Sequence, residues 1–170
     1  MASAVVTAAK LPTIAVVARP TGTKPIAENR RSRYDYELLE RVEAGIVLTG
    51  TEVKSLREGR VTLAQAYADL RGPEIWLVGA EIAEYAQGNL ANHEPNRDRK
   101  LLLRRAEIES LGGQVREKGL TIVPTRMYFK DGKVKVEIAV GRGKDRGDKR
   151  RTIADRDAKR QIERALRARR

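Results

Sequence analysis

From Lys133 to Val140 the chain alternates residue by residue, with Val134, Val136, Ile138 and Val140 set against Lys133, Lys135, Glu137 and Ala139. A period of two sends the two sets to opposite faces of a strand, so the segment predicts a strand with one buried and one wet face. Met127 and Phe129 alternate with Tyr128 and Lys130 just before it, and the intervening Asp131-Gly132 is a two-residue hairpin signal in which glycine supplies a positive φ. A second turn, at Gly72-Pro73, separates Ala66–Leu70 from the apolar run Ile75, Trp76, Leu77, Val78 and predicts another antiparallel pair. Helical patterns are fewer: Glu52–Arg57 after Gly50, and Leu102–Leu111 with Gly112-Gly113 as its stop. Short, closely spaced strands with a few short helices predict a mainly β fold, a small closed antiparallel barrel of the oligonucleotide-binding (OB) type, since closure removes exposed strand edges.

The ends of the chain have a different texture. Residues 1–25 are rich in Ala, Val, Thr and Pro, no acid occurs before Glu28, and Lys10, Pro12 and Arg19 cut the apolar runs, so a disordered arm is expected there rather than a signal or transit peptide. Residues 26–140 are assigned to the barrel and residues 141–170 to a basic tail. After Val140 the glycine-spaced run GRGKDRGDKR has no apolar face and reads as a linker. Thr152 with Asp155 is a helix-start signal, and Ile162 with Leu166 gives too little apolar surface for a stable isolated helix, so this tail is expected to be disordered until it binds and helical once bound.

Charge sharpens this picture. Among 170 residues, 35 Lys and Arg against 23 Asp and Glu leave a net charge of +12. Gly141–Arg170 alone holds 13 basic and five acidic residues, so two thirds of the excess lies in the last 30 residues. A basic tail on a nearly balanced domain suits a polyanion partner, because each cation that neutralises a phosphate releases a counterion. No run approaches the roughly 18 apolar residues of a membrane span. Cysteine is absent, which removes disulfides, thiolate metal sites and cysteine nucleophiles.

Catalytic signals are poor. His93 is the only histidine and precedes Glu94-Pro95 in a polar loop, so it reads as a loop-ordering residue and not as part of a triad or a multi-histidine metal site. Gly143-Lys144 lacks the upstream glycine and the following hydroxyl of a phosphate-binding loop. Gly112-Gly113-Gln114 matches the tripeptide with which release factors position water on peptidyl-tRNA, but it follows a helical pattern where a glycine pair serves as a stop. The expectation is no catalytic residue, no metal and no cofactor.

Three strings carry a resemblance: IAENRRSRYDYELLERVEAGIVLTGTEVKSLREGR (Ile26–Arg60), YAQGNLANHEPNRDRKLLL (Tyr85–Leu103) and GLTIVPTRMYFKDGKVKVEIAVGRGK (Gly119–Lys144). In order and spacing they closely resemble the SsrA-binding protein (small protein B) family of bacterial trans-translation, over about Ile26 to Arg160. The resemblance implies an OB-type barrel that binds the tRNA-like domain of transfer-messenger RNA (tmRNA) and escorts it to stalled ribosomes. It also implies a tail that fills the messenger channel at the small-subunit decoding site, with no catalytic step. The expected state is a cytoplasmic monomer bound to RNA. Glu43 and Leu102 match family positions linked to tmRNA binding; Asn29, Arg30, Arg31 and Arg33 match a basic strand leading into the domain, and Arg97, Arg99 and Lys100 a second basic patch. Tyr34 and Tyr36 offer stacking faces, and Arg104 stands where the family often has Asn or His. Tyr36 and Leu102 have the alternative reading of core residues, and Glu43 that of a surface ion-pair partner. In the tail, Gly143, Lys144, Asp148, Lys149, Arg150 and Arg151 are the expected ribosome-binding set. Gly147 and Ala158 depart from the family there, where an aromatic or histidine and a tryptophan are common. Two alternatives stand beside this: a generic single-stranded RNA binder, and a Gly-Gly-Gln peptidyl-tRNA hydrolase.

Overall fold

The computed structural model describes residues 22–88, 92–145, 147, 148, 157, 160 and 161. The expected arm through residue 21, the tail residues Lys149, Arg150 and Arg151, Ala158 and the helix start at Thr152 lie outside the described residues.

The described chain is mainly β: β1 (Thr23–Glu28), α1 (Arg30–Asp35), β2 (Tyr36–Ile46), α2 (Gly50–Arg57), β3 (Val61–Thr62), β4 (Tyr67–Arg71), β5 (Glu74–Val78), β6 (Glu81–Ile82), β7 (Arg99–Leu102), α3 (Arg105–Lys118), β8 (Thr121–Lys130) and β9 (Lys133–Gly143). One sheet has the order β1-β8-β4-β5-β7-β2-β9, and a further β8–β9 pairing brings the last strand back to β8. Six strands thus form a ring of antiparallel pairings with β1 added outside β8, while β3 and β6 make a separate short ladder.

Local chemistry explains the two hairpins. Lys130 pairs with Lys133 across Asp131-Gly132, whose φ values of 50° and 76° are both positive, as a type I′ turn requires. Gly72, at φ 61°, turns β4 into β5 so that Arg71 meets Glu74. Inside the ring Val136, Ile138 and Val140 pack with Ile75, Leu77, Leu101, Ile122 and Met127, all buried. The opposite face of β9 is wet only at its start. Lys133 is exposed, but Glu137 and Ala139 are buried, contrary to the simple alternation.

Several boundaries differ from expectation. Strand β9 does not end at Val140: Gly141, Arg142 and Gly143 continue it opposite Leu38, Glu37 and Tyr36. The bare backbone of Gly141 lets the Tyr36 ring lie across it, since an added Cβ would come within 3.0 Å of that side chain. At the other end the sheet begins at Thr23, inside the segment assigned to the arm. The third helix runs through Gly112-Gly113 to Lys118 and stops at Gly119, in the left-handed conformation at φ 59°. Its apolar stripe of Ile108, Leu111 and Val115 packs against the core, and that burial outweighs the roughly 1 kcal/mol that each helical glycine costs. Leu102, placed in this helix by sequence, belongs to β7.

Candidate nucleic-acid interface

Strands β2, β9 and β8 lie side by side, and their registers decide which side chains share the outer face. Glu43 pairs with Glu137 and Glu137 with Arg126; Gly45 pairs with Lys135 and Lys135 with Tyr128; Lys133 pairs with Lys130. Arg41, on β2 opposite Ala139, completes the set. The face therefore carries five cations and two carboxylates. The two carboxylates stand directly opposite each other, an unfavourable arrangement unless each has its own cation. Arg126 holds Glu137 at 2.7 Å with Arg41 at 3.8 Å, while Lys130 holds Glu43 at 3.0 Å.

Glu43 is reached from two strands away. The Tyr128 hydroxyl donates to Oε2, and Lys130 Nζ donates to both oxygens at 3.0 Å. The Tyr128 bond, then Lys130, lower the Glu43 pKa, so it is a carboxylate at neutral pH. Burial and the bond to Glu43 push Tyr128 up to about 12, which keeps its hydroxyl a donor. The Arg126 guanidinium lies 5.3 Å from the Tyr128 ring centroid.

Leu102 joins this site through β7. It pairs with Gly45, two residues from Glu43 on the same face, and 52% of its surface is exposed. Gly45 makes the room: a Cβ there would sit 3.1 Å from Leu102 Cβ. Lys100, on the same side of β7, pairs with Glu74.

Arg99 faces the other way. It is fully buried, and its Nε donates to Glu52 Oε1 at 2.8 Å while its other nitrogens reach the carbonyls of Ala80, Pro95 and Arg97. Arg97 binds the same carboxylate through Nε at 2.8 Å and Nη2 at 2.6 Å. Glu52 also accepts the backbone N–H of Thr49, the N-cap of α2, at 2.6 Å and so closes a capping box. Burial alone would raise the Glu52 pKa, but the bonds from Arg97, Thr49 and Arg99 outweigh it and hold it at about 2. Each of the three Arg99 nitrogens is thus bonded inside the fold, which argues against the phosphate contact expected for it.

The basic segment at Asn29 forms a separate cluster and is a helix, not a strand. Asn29 Oδ1 accepts the Ser32 N–H at 3.1 Å and Nδ2 donates to the carbonyls of Leu63 and Pro124, so Asn29 is a buried cap of α1. The helix displays Arg30, Arg31 and Arg33 to solvent, with Arg31 paired to Asp35 and Arg33 to Glu28. Tyr34 and Tyr36 are half-buried at the junction with β2. Tyr36 and Glu43 are seven residues apart on β2, about 23 Å along the strand, so the clusters are distinct. Gly143 and Lys144 are tied to this end as well: Lys144 N–H donates to the Asp35 carbonyl at 2.8 Å and Nζ to that of Arg33 at 3.1 Å. Asp148 is exposed, and Arg104 is an exposed cap of α3.

Sequence reasoning singles out none of Arg41, Arg126, Tyr128, Lys130, Lys133 and Lys135 as a candidate, although Tyr128, Lys130, Lys133 and Lys135 enter its strand pattern. The signal for the lysines was present, since the same alternation that buries Val134 and Val136 turns Lys133 and Lys135 outward.

His93 is buried in its loop, with Nε2 3.1 Å from the Ile82 carbonyl and Nδ1 3.0 Å from Thr51 Oγ1. Gln114 lies in mid-helix and donates to Glu40 at 2.7 Å. Among the described residues no three His, Cys, Asp or Glu side chains group as a metal site, and no helix is long and apolar enough to cross a membrane.

Fold and site together define a small antiparallel β-domain that presents basic side chains, two anchored carboxylates and an exposed leucine on a continuous outer face. The family model described as SmpB protein matches residues 26–168, and the chain belongs to the SmpB family. An SsrA-binding protein of Parafrankia sp. (strain EAN1pec) is 53% identical over 148 residues, covering 87% of this chain and 94% of the relative. One of Salinispora tropica is 56% identical over 147 residues, covering 86% and 92%. A solved structure described as "tmRNA-SmpB: a journey to the center of the bacterial ribosome" is 47% identical, has a TM-score of 0.61 and covers 75% of this chain and 93% of its own.

Proposed function

We propose that this protein binds the tRNA-like domain of tmRNA and brings it to ribosomes stalled during translation, with no catalytic step of its own. The observation that carries this reading is the juxtaposition of Glu43 and Leu102, the two positions matched to RNA binding by resemblance, on one face of the sheet beside Lys135 and Tyr128. The ring of pairings is read as the OB-type barrel, a scaffold suited to splayed RNA loops. Exposed lysines and arginines supply phosphate neutralisation, while the Glu43 carboxylate accepts from a base amino group or a 2′-hydroxyl. Arg30, Arg31 and Arg33 at α1 make a second electrostatic contact with the RNA. The segment after Lys144, which includes Asp148, Lys149, Arg150 and Arg151, serves the small-subunit decoding site and messenger channel. Such partners suit a cytoplasmic protein, which we read as a monomer on its RNA.

A Gly-Gly-Gln hydrolase finds no support in the fold, because Gln114 sits within α3 and bonds Glu40 instead of capping an exposed loop. The generic RNA-binder alternative is separated by pull-down from cell extract followed by RNA sequencing. Dominant recovery of tmRNA is expected; bulk recovery of messenger RNA would favour the generic binder.

A further inference from the structure

We propose that Tyr128 is a positioning residue for RNA recognition, fixing the Glu43 carboxylate so that its remaining acceptor position meets a hydrogen-bond donor of the RNA. The proposal rests on Glu43 being an RNA contact. Glu43 lies on β2 and Tyr128 on β8, so the bond between them crosses over β9. The Tyr128 end of this strap is stiffly mounted. Tyr128 is only 6% exposed, and Arg126, itself bonded to Glu137, lies against its ring. The phenol can rotate little, so its O–H presents one direction to Glu43 Oε2. Lys130 cannot do the same, because its ammonium is a point charge on a flexible stem, and its side chain is 45% exposed.

The Glu43 side chain stays 35% exposed after taking three bonds, one from Tyr128 and two from Lys130. Two oxygens offer about four lone-pair positions, so about one is left for a ligand. A carboxylate repels phosphate, which leaves base N–H and ribose 2′-hydroxyl groups as the chemistry it selects. Among the neighbouring cations it therefore reads RNA groups that the cations do not, and its direction matters because a hydrogen bond weakens steeply with misalignment.

The test is a double-mutant cycle in the full chain with Tyr128→Phe and Glu43→Gln, using the isolated tRNA-like domain of tmRNA as the probe. Tyr128→Phe keeps the buried ring and removes only the donor. It is expected to weaken binding about tenfold when Glu43 is intact and less than about twofold when combined with Glu43→Gln, with no change in the slope of log affinity against log salt. A Glu43→Gln loss without any Tyr128→Phe loss overturns the positioning role while leaving Glu43 as an RNA contact. Additive losses accompanied by a lowered melting temperature also overturn it, because the hydroxyl would then act through stability alone. Unchanged binding in Glu43→Gln overturns the RNA-contact reading itself.

Discussion

Glu52→Gln separates a residue that holds the fold from one that holds RNA, at a place where sequence and structure disagree. The carboxylate receives bonds at 2.6 to 2.8 Å from Thr49 N–H, Arg97 and Arg99, and neither Glu52 nor the Arg99 side chain is exposed. Glutamine removes the charge and turns an NH2 group toward the arginine donors wherever its oxygen cannot serve both. Arg99 then remains as a buried cation held only by carbonyls. Breaking a buried ion pair from one side costs about 3 to 5 kcal/mol. At an m-value of about 2 kcal/mol per molar urea, the midpoint should fall by roughly 2 M. Urea titration followed by circular dichroism measures this, and RNA binding well below the new midpoint should keep its salt slope. Arg99→Met should behave alike. A midpoint shift below about 0.5 M, or an Arg99→Met protein that is stable but has a slope flattened by nearly one unit, would refute the assignment and return Arg99 to the RNA-contacting set.

The same cluster sets a pH dependence: Glu52 is held at about 2 against an ordinary 4.5, so its stabilisation is fully present above about pH 4.5 and is lost as pH falls toward 2. The full span amounts to about 3 kcal/mol, and melts between about pH 6 and pH 2.5 should show the acid slope shrinking in Glu52→Gln. Gln114→Ala removes one exposed bond to Glu40 and should change stability by less than about 0.5 kcal/mol. A stalled-ribosome assay lacking tmRNA should show no peptide release from either protein. Gly45→Ala forces Leu102 to yield by a few tenths of an ångström, and binding assays paired with melts should find RNA affinity reduced about threefold or more with little loss of stability.

What could be read from the sequence was what neighbouring residues decide. Asp131-Gly132 and Gly72-Pro73 specify their turns within a few residues, and the alternation from Val134 identifies the buried face of β9. The end of α3 was not legible, because Gly112-Gly113 is a stop only when no apolar stripe beyond it has a core to join, and Val115 has one. Asn29 begins a basic string that looks extended until its side chain finds the Leu63 and Pro124 carbonyls, 34 and 95 residues away. Arg99 follows the same logic: its surroundings read RDRKLLL, yet its partner Glu52 lies 47 residues earlier. Glu43 and Leu102 were singled out by resemblance alone, and only the pairing of Gly45 with Leu102 puts them on one face. Tyr128 had no signal, since an aromatic residue in an alternating strand does not announce whether its hydroxyl has a carboxylate to hold.

Tagging in a purified translation system on ribosomes stalled at the end of a truncated message tests the central claim most directly. The chain is supplied either whole or stopped after Asp145, beyond the last bonds that tie Lys144 to α1. The whole chain is expected to support tmRNA-dependent tagging, and the shortened chain to bind the isolated tRNA-like domain with most of its affinity but not to tag. Failure of the whole chain to support tagging, or equal tagging by the shortened chain, would contradict it.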